Sequence, residues 1–503
     1  MVIKNNTIKK LIKHYKEISL LGKINGLLNW DLNVNLPEKA GKFRAEQISY
    51  LTKTISDKWL DKEFRKNLEQ VDKEKNLSLE EKAVVRNLKH SSKYYFRVPQ
   101  KVIVDFSRVT AEAFIAWRQA KEDNKFILFE PHLKKIVSFN QKIAGYIGYK
   151  DNPYDALLDL YEPGLTFGEG KSIFSILTRE IVPLVKKIKK SRFSKVDQSL
   201  FEKDYPVEFQ KKIAEFVLQK IGYDFDAGRQ DVSAHPFTTE LGEGDVRLTN
   251  RYSSNSFIES LMVAMHEGGH GLYEQGVNLE YSMTPLEGGV SLGIHESQSR
   301  FWENQIGRSW EFIRYIEPVL SVFYPKQLAK EDANSLYRLF NMVSPSLIRV
   351  EADEVTYNLH IAIRFEIEEA LLNDRISVAS LPQVWGEKMK KYLGVVPNKD
   401  SEGVLQDVHW SHGLMGYFPT YTLGNLYAAQ FANKIGKDLD MKKLILEGNF
   451  GEILAWYRQK IHKYGSLYWP DELVKKVTGE KLNPKFFLNY LVDKYSAIYG
   501  FSC

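Results

Sequence analysis

Histidine is scarce in this chain, 11 of 503 residues. Two of those histidines nevertheless stand four positions apart around a carboxylate, in the stretch MHEGGHGLYEQG at 265–276. On an α-helix, positions i and i+4 stack on one face about 6 Å apart. His266 and His270 can therefore offer imidazole nitrogens to one cation, and zinc accepts nitrogen at about 2.0–2.1 Å and carboxylate oxygen at similar range. Glu267 is turned too far round the helix to ligate the same ion readily. It is well placed to take a proton from a water activated there. A purely structural metal site has no need of such a base, so the pattern points to hydrolysis and away from a helical scaffold with a relict or structural metal.

A catalytic zinc takes a third protein ligand and keeps its fourth position open. The segment GGVSLGIHESQSRFWENQIG, 288–307, offers His295 and Glu296, with Leu292, His295, Ser299 and Trp302 at helical spacing. Glu296 lies 26 positions after His270 (296 − 270), which permits a loop and a return on a second helix. The spacing alone leaves both residues open as the third ligand.

These residues need elements to hold them. In SFIESLMVAMHEGGHGLYEQG, residues Phe257, Leu261, Ala264 and Met265 form an apolar stripe at helical spacing. Gly268 and Gly269 each cost such a helix about 1 kcal/mol relative to alanine. The expectation is that a neighbouring element or the substrate approaches the backbone there. Directly upstream, HPFTTELGEGDVRLTNRY at 235–252 reads as a hairpin: a β-branched and aromatic run, a Gly-Glu-Gly-Asp turn, then alternating Val246-Arg247-Leu248-Thr249. Nearly everywhere else the periodicity is helical, as in FRAEQISYLTKTISDKWL and LEEKAVVRNLKHSSKYYF. The expected fold is mainly α, with a small β-hairpin or sheet beside the metal site.

Composition narrows the class. Hydrophobic residues are 43% and charged residues 27%, ordinary for a globular protein. A net charge of +6 is small for this length and implies no nucleic-acid partner. The run VKKIKKSRFSK at 185–195 reads as the solvated face of a helix. No stretch is long and apolar enough for a membrane span. The N-terminal residues Ile8, Leu11, Ile12, Tyr15 and Ile18 follow helical spacing and form no signal-peptide core. Cys503 is the single cysteine, which excludes an internal disulfide and suits the cytoplasm. Length alone suggests about three domains. Glycine and proline fall in short punctuation and form no linkers, so the expectation is one helical body over 1–503.

The motif set resembles the thermostable carboxypeptidase family, the zinc metallocarboxypeptidases called carboxypeptidase Taq. HEGGH and HESQ carry the resemblance, with HPF (235–237), DVRLT (245–249), IRVEAD (348–353) and GVLQDVHW (403–410). LLNWDLNVNLPEKAGKFRAEQ (27–47) and NPYDALLDLYEPG (152–164) extend it over nearly the whole chain in order. The resemblance implies a helical fold like that of the neurolysin and angiotensin-converting-enzyme group, with a long cleft, and a homodimer acting on peptides with a free C-terminus. It implies His266, His270 and Glu296 as ligands of Zn2+ and Glu267 as general base; a His/His/Glu donor set also accepts Co2+ or Mn2+. Glu296 is thereby favoured over His295.

Related helical zinc peptidases set a histidine and a downstream tyrosine against the oxyanion of the tetrahedral intermediate. In QDVHWSHGLMGYFPTYTLGNLY, 406–427, similar spacing favours His409 and Tyr421, with His412 and Tyr417 close by. A terminal carboxylate is best held by an arginine fork. Arg247 and Arg349, both inside the family's motifs, are the candidates, and His235, His412 and Tyr417 complete the expected substrate-binding set. Asp353 and Glu354 are expected to orient a ligating histidine. An oligopeptidase or dipeptidyl peptidase on the same scaffold is the competing reading.

Overall fold

The computed structural model describes residues 1–193 and 199–502. Cys503 and the Ser194–Lys195 end of the basic run lie outside the described residues. The chain packs as two compact units, each assembled from three separate stretches. One comprises residues 1–92, 197–340 and 427–482; the other comprises 93–196, 341–426 and 483–503. The elements that carry candidate residues are, in chain order, α1 (Asn6–Val34), α2 (Val207–Ile221), β1 (Gly228–Val232), β2 (Thr238–Gly242), β3 (Asp245–Asn250), α3 (Phe257–Glu274), α4 (Leu292–Arg300), α5 (Tyr357–Leu372) and α6 (Pro419–Asp438). The fold is mainly helical, and no helix among the described residues is long and apolar enough to cross a membrane.

In the first unit, Ser256 caps α3 by accepting from the Glu259 N–H. The expected stripe of Phe257, Leu261, Ala264 and Met265 is fully buried. The hairpin forms as β2 and β3, closing on a two-residue turn at Glu243-Gly244, where Gly244 takes φ +75°. β1 pairs with β3 in parallel, an element the sequence reading did not include, and the strand order is β1-β3-β2. Arg247 thus sits on the central strand, leaving β2 as the hairpin's edge. α1 lies along β2: Lys23 donates to both carboxylate oxygens of Glu240 at 2.6 Å, and Gly26 packs beside Leu241.

In the second unit, α5 is buried around nearly its whole circumference and carries His360, Arg364 and Glu368 with no exposed surface. The basic run behaves as a solvated helix face over its described part. Lys186, Lys187, Lys189 and Lys190 are exposed, while Val185 and Ile188 are buried.

Candidate metal centre

Two helices meet through a backbone stripped of side chains. A Cβ on Gly269 would stand 2.5 Å from the Gln298 carbonyl oxygen and 2.7 Å from the Ser299 Cα. A Cβ on Gly268 would meet the Leu218 side chain of α2 at 2.6 Å. Neighbouring elements therefore account for both glycines: α4 presses on one side of α3 and α2 on the other. That contact brings Glu296 of α4 against the histidines of α3. His266 Nε2 and His270 Nε2 lie 3.7 and 3.4 Å from Glu296 Oε2. One ligand atom from each of the three residues falls within 4.8 Å of the others.

The outer hydrogen bonds of these residues suit a cation. His266 Nδ1 is 2.8 Å from Glu303 Oε2. A carboxylate only accepts, so Nδ1 carries a proton, and in the neutral ring Nε2 keeps its lone pair for a cation. His270 Nδ1 is 2.5 Å from His295 Nδ1, and His295 Nε2 is 2.7 Å from Glu274 Oε1. Glu274 accepts from His295 Nε2; the neutral ring's Nδ1 then accepts from His270 Nδ1–H. The Nε2 of His270 is left as a free ligand. Glu296 divides its oxygens likewise: Arg300 Nε donates to Oε1 at 2.6 Å, and Oε2 faces the two histidines. The donor set therefore fits a divalent metal.

Electrostatics keeps the carboxylates ionised. Burial opposes the charge on Glu296 and Glu303. The Arg300 guanidinium and the histidines prevail, bringing Glu303 down to about 2 and Glu296 lower still. Burial pushes His270 down to about 4. Glu267 is buried, and Thr238 Oγ1 donates to its Oε2 at 2.6 Å; burial raises this carboxyl above its ordinary range. Thr238 opens β2, so the hairpin has a direct bond to the candidate base.

The other candidates have definite partners. Arg247 forms a two-pronged pair with Asp245 on its own strand, at 2.7 and 2.8 Å, and its guanidinium lies 4.5 Å over the Trp30 ring. His235 is exposed at the bend before β2. In the second unit, Arg349 is buried: it donates to Asp407 Oδ1 at 3.0 and 2.7 Å and to Tyr357 OH at 2.9 Å. His409 Nε2 lies 3.1 Å from Tyr421 OH, and its ring sits 5.4 Å from Tyr417. His412 is exposed and stacks on Phe114 at 5.0 Å.

Asp353 and Glu354 do not have the expected bonds. Asp353 ties the turn that precedes α5, accepting from Ser344, Val355 and Thr356, and Glu354 pairs with Lys494 and Tyr495. The carboxylate bonded to His266 Nδ1 is Glu303, which follows α4 on a π-helical turn, Phe301–Ile306. Sequence reasoning missed Glu303, Arg300, Glu274 and Thr238. The available signal was the cluster of acids at short range from the candidate ligands, with Glu274 four residues after His270 and Glu303 seven after Glu296.

A His-His-Glu set with half-buried histidines, a buried glutamate and hydrogen-bonded outer nitrogens has the make-up of a metallopeptidase centre, and the whole-chain comparison agrees. The pattern of the carboxypeptidase Taq (M32) metallopeptidase family matches residues 10–495, and the chain belongs to that family. It is a metallocarboxypeptidase. It is 41% identical to thermostable carboxypeptidase 1 of Pyrococcus furiosus over 98% of this chain and 99% of that protein. It is 39% identical to carboxypeptidase 1 of Bacillus subtilis over 97% of each. Among solved structures, the Pyrococcus furiosus carboxypeptidase described as Apo-Mg matches with a TM-score of 0.96, 41% identity and coverage of 98% of this chain and 100% of that one. Metallocarboxypeptidase 1 of Trypanosoma cruzi matches with a TM-score of 0.92, 34% identity and coverage of 97% and 99%.

Proposed function

We propose that this chain releases single amino acids from peptide C-termini, with Glu267 as general base and arginine recognition of the terminal carboxylate. The observation that carries the reading is the convergence of His266, His270 and Glu296 within 4.8 Å, with Glu267 next in sequence. When bound, a divalent cation polarises the scissile carbonyl and acidifies water; the ligand set suits zinc, with cobalt or manganese as substitutes. Glu267 accepts the water proton, steadied by the Thr238 hydroxyl on Oε2, and returns it to the leaving nitrogen. His409 and Tyr421 donate to the oxyanion. Arg247 and Arg349 hold the terminal carboxylate, with His235, His412 and Tyr417 lining the substrate. The same reading carries a cytoplasmic homodimer, whose assembly sedimentation velocity measures.

The test pairs metal content with substrate form. Glu267→Gln keeps its metal and loses about a hundred-fold or more in kcat. Wild-type enzyme hydrolyses free-acid peptides one residue at a time and leaves C-terminally amidated peptides intact. Efficient cleavage of the amides, or release of dipeptides, would identify an oligopeptidase or dipeptidyl peptidase instead.

A further inference from the structure

His360, Arg364 and Glu368 stand four residues apart on α5, one stripe with no exposed surface. Two members of that stripe grip the segment that carries His409. Arg364 donates to Asp407 Oδ2 at 2.7 Å and to Gln406 Oε1 at 2.8 Å. One helical turn on, Glu368 accepts from Trp410 Nε1 at 2.7 Å, from the Gly416 N–H at 2.9 Å and from Tyr154 OH at 2.6 Å. The short turn His409–His412 is thus clasped on both sides, and Tyr417 follows directly after the second Glu368 contact.

The stretch NPYDALLDLYEPG, residues 152–164, frames the same clasp. Tyr154 supplies the third donor. Gly416 takes φ +94°, and a Cβ there would stand 2.8 Å from the Leu157 carbonyl carbon. The Tyr161 ring meets Tyr417 edge-on at 5.3 Å. Trp410 Nε1 and the Gly416 N–H can only donate, so the carboxyl accepts from both; a proton on it would turn the Tyr154 hydroxyl from donor to acceptor and rearrange the clasp. Burial pushes Glu368 up to about 7 against those hydrogen bonds and Arg364. The titratable groups facing it are Tyr154, Tyr161 and Arg364.

We propose that Glu368 is a positioning residue for the carboxypeptidase reaction: its buried carboxylate joins Trp410, Gly416 and Tyr154, and so sets the turn that presents His409 and Tyr417. The proposal rests on the reading that His409 serves the reaction.

The experiment uses the metal-loaded full chain and compares Glu368→Gln, Tyr154→Phe and His409→Gln. In Glu368→Gln the amide keeps an oxygen for Tyr154 and Gly416 but turns an N–H toward the Trp410 donor. The expected result is a kcat lower by about ten- to a hundred-fold, with KM within about three-fold and metal content unchanged. The Trp410 indole N–H resonance titrates with a midpoint at about 7 in wild type and is flat in Glu368→Gln. Tyr154→Phe removes one donor and lowers kcat by about two- to five-fold; it carries the same test if Glu368→Gln does not fold. If His409→Gln loses activity while Glu368→Gln stays within about two-fold of wild type in kcat, the positioning role is overturned and the reading of His409 stands. If His409→Gln itself keeps wild-type kcat, that reading falls and takes this inference with it. A Trp410 resonance that titrates identically in wild type and Glu368→Gln also overturns it.

Discussion

The Nδ1 atoms of His270 and His295 lie 2.5 Å apart, so one ring must donate and the other accept. With a neutral His295 ring Glu274 sets which, because it accepts from the far nitrogen at 2.7 Å and leaves Nδ1 as the acceptor. The result is a fixed order, Glu274 to His295 to His270, that leaves His270 Nε2 pointing at Glu296. Removing either outer member frees the His270 ring to rotate and change tautomer. His295→Ala and Glu274→Gln are each expected to weaken metal affinity by about ten- to a hundred-fold, measured by competition with a chromophoric chelator. Glu296→Ala, which removes a proposed ligand itself, is expected to weaken it further. Normal metal binding in Glu296→Ala with loss in His295→Ala would reverse the two roles.

The two glycines inside the histidine motif predict unequal damage. A Cβ on Gly269 would meet α4 backbone at 2.5 Å, whereas on Gly268 it would meet the tip of the Leu218 side chain at 2.6 Å. A side chain can rotate and a helix backbone cannot. Gly269→Ala is expected to cost about 1–3 kcal/mol by overpacking and to weaken metal binding by spreading α3 from α4. Gly268→Ala is expected to cost less in a thermal melt and to leave metal affinity near wild type.

Asp407 joins two buried arginines, Arg349 and Arg364. Asp407→Asn leaves both cations without their counter-charge and is expected to cost about 3–5 kcal/mol in unfolding free energy. Against its burial, Arg349 and Arg364 hold the Asp407 carboxyl well below the usual range. A depressed carboxyl contributes stability that is present above its unfolded value, about 3.9, and is lost as pH falls through the folded one. The Tm difference between wild type and Asp407→Asn should therefore be constant from neutral pH to about 5 and narrow below about 4. A difference that narrows already near neutrality would contradict the pairing.

The two arginines proposed for carboxylate recognition separate by stability. Arg247 is half-buried and paired with Asp245, whereas Arg349 is buried in the Asp407 cluster. A hydrogen bond to a charged group is worth about 1.5–3 kcal/mol, so each loss should lower kcat/KM for free-acid peptides by about ten- to a hundred-fold. Arg247→Leu should do so with little change in Tm. Arg349→Leu should also lower Tm, since Asp407 loses one of its two partners. If neither variant changes the ratio of free-acid to amide hydrolysis, the carboxylate is held elsewhere.

Local patterns were legible in the sequence because they depend on a single element. The four-residue spacing of His266 and His270, the capped apolar stripe of α3 and the turn of the β2–β3 hairpin are each set within about twenty residues of chain. Contacts between distant segments were not. Which of Glu296 and His295 faces the two Nε2 atoms rests on how α4 crosses α3 at Gly269, a long-range contact. Glu303 reaches His266 from a π-helical turn, whose five-residue spacing breaks the 3.6-residue pattern by which helix faces are read. Arg349 and Asp407 stand 58 positions apart, so their pairing has no local trace. The boundaries of the two units left no mark either. Each unit is built from three stretches, and two boundaries fall within the helices Leu79–Arg97 and Pro419–Asp438, where helical continuity leaves no linker composition to read. The sequence alone determined the helical elements, the two histidines and the adjacent acid, because helix geometry brings i and i+4 together wherever the chain is helical. Tertiary structure alone decided which acids stand beside that pair, since an imidazole nitrogen is aimed by whatever carboxylate the packing delivers to the other side of the ring.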